Sequence, residues 1–99
     1  MPVTTAEEMH AVINRIFAKH SIKAAESQYD RKVCVLAVGT ARDVFMRVPI
    51  EGTATEHGQA VLKALEPLSN NYNDPDGEYT SGKAPIGDVF CEIMGVIEN

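Results

Sequence analysis

The chain has 99 residues, 44% of them hydrophobic, and a formal net charge of -5. That length is near the common size of one domain, and that composition is too apolar for a disordered polymer. Nine cations against fourteen acids, with no basic run longer than Arg31-Lys32, exclude a nucleic-acid backbone as the main partner, because phosphate binding needs clustered Lys and Arg.

The first element in chain order is a helix over residues 6–20. Thr5 reads as its N-cap and Glu8 as the other half of a capping box. Met9, Val12, Ile13, Ile16 and Phe17 recur at steps of three and four, which is one helical face. Residues 22–29 read as a first edge strand, with a short helical continuation through Lys23-Ala24-Ala25-Glu26 as the alternative. Residues 33–50 read as a hairpin. One apolar run ends at Val38, a turn follows around Gly39, and Val44, Met46, Val48 and Ile50 then alternate with Phe45, Arg47 and Pro49.

Glu51-Gly52 closes that hairpin. A second helix follows, capped by Thr55 or by Thr53 with Glu56, and runs to about Glu66 with Val61, Leu62 and Leu65 inward. Pro67 is expected to end or kink it. Residues 69–84 form a long polar loop with a tight turn at Asp76-Gly77. The final segment, 85–99, carries Ile86, Val89, Phe90, Ile93 and Ile97 at helical spacing and Pro85 at the first helical position. A strand over 89–97 is the alternative. The expectation is therefore a single α+β domain over residues 1–99: a small antiparallel meander of two or three strands packed with an N-terminal, a second and a C-terminal helix.

Several chemistries are excluded by their own requirements. Residues 77–83 match G-x-x-x-x-G-K, but Ala84 stands where a magnesium-holding Ser or Thr is needed, and a polar turn precedes the loop where a buried strand should be. An anion held by Gly82, Lys83 and neighbouring amides, with Tyr72 or Tyr79 stacked on it, is the weaker claim left. Asp74 and Asp76 resemble a calcium loop, but the register puts Tyr72 and Lys83 where its first and last carboxylates belong. His10, His20 and His57 show no ligand spacing, so no metal and no cofactor are expected. Cys34 and Cys91 read as two separate buried thiols rather than a disulfide. The N-terminal residues lack a signal-peptide pattern and no apolar run reaches the length of a membrane span, so the expectation is a cytoplasmic protein without membrane contact.

Interaction is the first functional reading: a small adaptor, regulator or inhibitor that binds another protein, itself a homodimer. Its contact residues would be Val44, Met46 and Val48 on an open sheet edge, Asp74 and Asp76 in the acidic loop, and Phe90 and Met94 on a C-terminal face wider than a small sheet can cover. A small-molecule or anion binder using residues 77–84 is the second. The third is an enzyme whose reactive groups converge only in the fold, with no catalytic residue visible in sequence.

Overall fold

The computed structural model describes residues 3–28, 30–69 and 83–98. The described residues form four helices: α1 (Ala6–Ala25), α2 (Arg31–Met46), α3 (Ala54–Ser69) and α4 (Lys83–Glu98). Every helix packs on the other three. Among the described residues there is no strand, and the one β-bridge joins Thr5 to Thr53. The architecture is an all-α bundle and not the α+β meander that the sequence suggested.

Three helix starts show why the chain folds this way. Thr5 Oγ1 accepts from the Glu8 amide at 3.1 Å, and the Glu8 carboxylate accepts from the Thr5 amide at 3.1 Å. Thr53 and Glu56 repeat the arrangement at α3, at 3.1 and 2.9 Å. Asp30 accepts from the Val33 amide at 3.1 Å and opens α2. Each satisfies amides that have no partner inside the helix. The carboxyls of Glu8 and Glu56 are held below the ordinary carboxylate range, each first by its hydrogen bonds to the capping threonine.

The Thr5–Thr53 bridge, with the Ala54 amide donating to Thr4 O at 3.2 Å, sets the starts of α1 and α3 side by side. The helices therefore alternate in direction. Gly58 near the start of α3 meets the end of α4, where a Cβ would come within 2.7 Å of Ile97 Cδ1, so glycine allows the two to close. The core runs between all four helices through Met9, Ile13, Phe17, Val38, Phe45, Val61, Leu65, Val89 and Ile93.

The largest correction is at residues 31–46. The buried positions there are Cys34, Val38, Ala41 and Phe45, at steps of four, three and four, which is a helical face. The alternation of Val44, Met46, Val48 and Ile50 set no sheet face: Val44 and Val48 are half-buried, and Met46 and Ile50 are exposed. Gly39 lies mid-helix, and the turn comes later, at Gly52 with φ 78°. The strand reading of 22–29 fails because α1 continues to Ala25, and that of 89–97 because α4 runs through it. Pro67 sits inside the last turn of α3 without ending it. Pro85 is the third residue of α4, still in the first turn, where its missing amide hydrogen costs nothing. No helix among the described residues is long and apolar enough to cross a membrane.

Candidate functional site

Helix α2 is apolar on two opposite sides. Its inner face carries the four buried residues named above. Its outer face carries Lys32, Leu36, Gly39, Asp43 and Met46, at steps of four, three, four and three, all of them exposed. At about 100° per residue these five share an arc of about 80° facing away from the core. Leu36 is 71% exposed, Met46 55%, and Val35 beside them 47%. A Cβ added at Gly39 would meet nothing within 4 Å. Among the described residues the side-chain ion pairs are those of Glu92 with Lys19 and His20, and neither Lys32 nor Asp43 has a charge partner there.

Beside this face, between the end of α2 and α3, runs an open groove of about 540 Å³, lined by Val44, Arg47, Val48, Pro49, Ala60, Lys63 and Ala64. Two residues expected on a binding edge, Val44 and Val48, therefore do share one surface, but through helix packing and the connector that follows α2.

A cavity of about 220 Å³ lies where the end of α1 meets the starts of α2 and α4, lined by His20, Lys23, Ser27, Cys34, Pro85 and Asp88 among others. His20 is buried there, and its Nε2 pairs with Glu92, which also takes Lys19. Burial pushes the Glu92 carboxyl up, but hydrogen bonds from Lys19 and His20 and their positive charge outweigh it and hold the group below the ordinary range. Cys34 Sγ donates to Ser27 Oγ at 3.8 Å. The space is smaller than the roughly 300 Å³ at which small-molecule pockets begin.

A second histidine cluster lies at the opposite end. His10 stacks on Phe45 with ring centroids 4.6 Å apart and lies 5.6 Å from the ring of His57. Pro49 O can only accept, so the 3.0 Å contact from His57 Nδ1 puts the ring proton on that nitrogen. His57 Nε2 and His10 Nδ1 are buried without a hydrogen-bond partner. Burial, then electrostatic repulsion from His57, lowers the pKa of His10 below its ordinary value. Among the described residues no three His, Cys, Asp or Glu side chains converge as metal ligands.

The expected contact residues are scattered. Val44 and Met46 are on α2, Val48 follows it, and Phe90 and Met94 are on α4, with Phe90 half-buried against the core and Met94 37% exposed. Asp74, Asp76, Gly82, Tyr72 and Tyr79 lie outside the described residues, and Lys83 is the first residue of α4. Cys34 is buried as expected, but Cys91 is exposed. Sequence reasoning missed Lys32, Leu36 and Gly39 as one surface with Asp43 and Met46. The signal was there: Asp30 as an N-cap, then buried and exposed residues both recurring at helical steps.

Compared with family models, with curated proteins and with solved structures, the chain matches none.

Proposed function

We propose that this chain is a protein-binding helical module, an adaptor or regulator, and that the outer face of α2 is its docking element. One observation carries the reading. Three of the six large hydrophobic side chains exposed among the described residues, Val35, Leu36 and Met46, are on this one helix and on the side away from the core. Covering a fully exposed aliphatic side chain gains about 1.5–3 kcal/mol, so Leu36 alone would favour a cover measurably. Charges at Lys32, Arg42, Asp43 and Arg47 surround the apolar centre, as a polar rim surrounds the core of an interface.

A photo-crosslinker at position 35, introduced in the cells that make the protein, tests this. The expected result is a discrete adduct that disappears when Leu36→Glu is added and that is absent with the crosslinker at Glu66, exposed on α3 and outside the groove. Equal labelling from both positions, or an adduct indifferent to Leu36→Glu, overturns the reading.

A further inference from the structure

We infer that the partner of this face is a second copy of the same chain, with the two α2 helices packed antiparallel about a two-fold axis. The inference rests on the docking reading above and names its occupant. In a two-fold pair the same patch must complement itself. Along the outer face the order is Lys32, Leu36, Gly39, Asp43: a cation, a large apolar side chain, a space, an anion. The four positions are symmetric about the midpoint between residues 37 and 38. With the two-fold axis at that midpoint, Lys32 faces Asp43 of the second copy at both ends, and Leu36 faces Gly39 twice in the middle.

Both halves of that complementarity use groups left open among the described residues. Lys32 and Asp43 have no ion-pair partner among the described residues. Leu36 is the most exposed large hydrophobic residue described, and the space over Gly39 is open. A glycine in mid-helix gives up about 0.5–1 kcal/mol relative to alanine, and nothing among the described residues presses on Gly39 to require it. A helix approaching from outside does require it, because a leucine can sit over a glycine only where no Cβ intervenes. Gly95 also has open space, but it lies in the last turn of α4, where helices fray. The flanking charges select direction, as in antiparallel coiled coils: a parallel pairing in register would set Lys32 against Lys32 and Asp43 against Asp43. The contact is one helix long, about 24 Å for sixteen residues, which suits a weak dimer better than an obligate one.

The test is sedimentation equilibrium of the purified chain from micromolar to millimolar concentration at low salt, with circular dichroism to verify each variant's fold. The wild type should dimerise reversibly. Lys32→Glu and Asp43→Lys should each weaken the dimer by about tenfold or more, since each sets like charges together twice. Mixed in equal amounts, the two variants should form a heterodimer near wild-type strength, because both ion pairs return. Gly39→Leu should leave a monomer that melts at higher temperature than the wild type.

A dimer that tolerates Gly39→Leu, or charge variants that the mixture does not rescue, overturns this register. A wild type that stays monomeric to millimolar overturns self-pairing. If the crosslinker at position 35 then still captures a different protein through Leu36, the docking reading stands alone; if it captures nothing, both fall.

Discussion

The two ends of the bundle each bury a histidine, and they settle its polar atoms in opposite ways. At the cavity end, His20 Nε2 meets Glu92, itself held by Lys19, and the polar group is satisfied by charge. At the other end, His10 lies between the rings of Phe45 and His57, and one buried nitrogen of each histidine has no hydrogen-bond partner among the described residues. That end is held by ring packing: His10 stacks on Phe45, and Phe45 stacks on Phe17 at 5.2 Å. A buried polar atom without a hydrogen bond costs stability. The ring-packed end should therefore depend most on its aromatic side chains, and the charged end on its ion pairs and on salt.

The largest effect that sharpens this contrast is at Phe45. Its side chain is fully buried, ties α2 to α1 through two ring contacts, and would leave a large void. Phe45→Ala should cost about 3–5 kcal/mol in chemical denaturation. A loss below about 1 kcal/mol would show that the stacked rings do not hold that end.

How much of this was legible beforehand depends on which signals agreed. For α1, the Thr5–Glu8 capping box and the apolar steps from Met9 to Phe17 pointed the same way; the start held and Val12 alone is not fully buried. For α3, Thr53 with Glu56 proved the true cap, and Val61 and Leu65 point inward. For α4, Ile86, Val89 and Ile93 are buried as the helical spacing implied. In α2 the signals conflicted. Val33, Val35, Val38 and Val44 have strand propensity, and Gly39 offered a turn. Propensity of that kind mostly reports packing surroundings, and the helical spacing of Cys34, Val38, Ala41 and Phe45 overrode it. The outer face was hidden for the same reason, since a hairpin places Leu36 and Gly39 on no shared stripe.

The next effect is acid sensitivity. Protonating His10 is disfavoured in the folded chain, first by burial and then by His57. Below its ordinary value of 6.5 the unfolded chain takes up a proton that the folded chain resists. Stability from this group is therefore complete above pH 6.5 and is lost as pH falls toward the lowered value. The melting temperature should therefore fall as pH is lowered from 7.5 to 5. His10→Phe keeps a ring on Phe45 and should flatten that limb. An unchanged slope in the variant would assign the loss to another group.

The smallest effect belongs to the charged end, and its pH window lies lower. The Glu92 carboxyl is held below its ordinary 4.5, so its contribution is present above that pH and is lost as pH falls through the lowered folded value. Glu92→Gln should cost about 0.5–1 kcal/mol at pH 7, because the side chain is partly exposed and the pair is screened by solvent. Glutamine still offers His20 an oxygen, so the buried ring keeps an acceptor and only the charge is removed. The variant should leave the limb between pH 7.5 and 5 unchanged and soften the fall below 4.5. It should do so only in part, because Glu8 and Glu56 are also lowered and fail in the same range. Added salt should shrink the difference between wild type and Glu92→Gln and leave the cost of Phe45→Ala untouched. If salt moved both equally, the two ends would not be held by different forces.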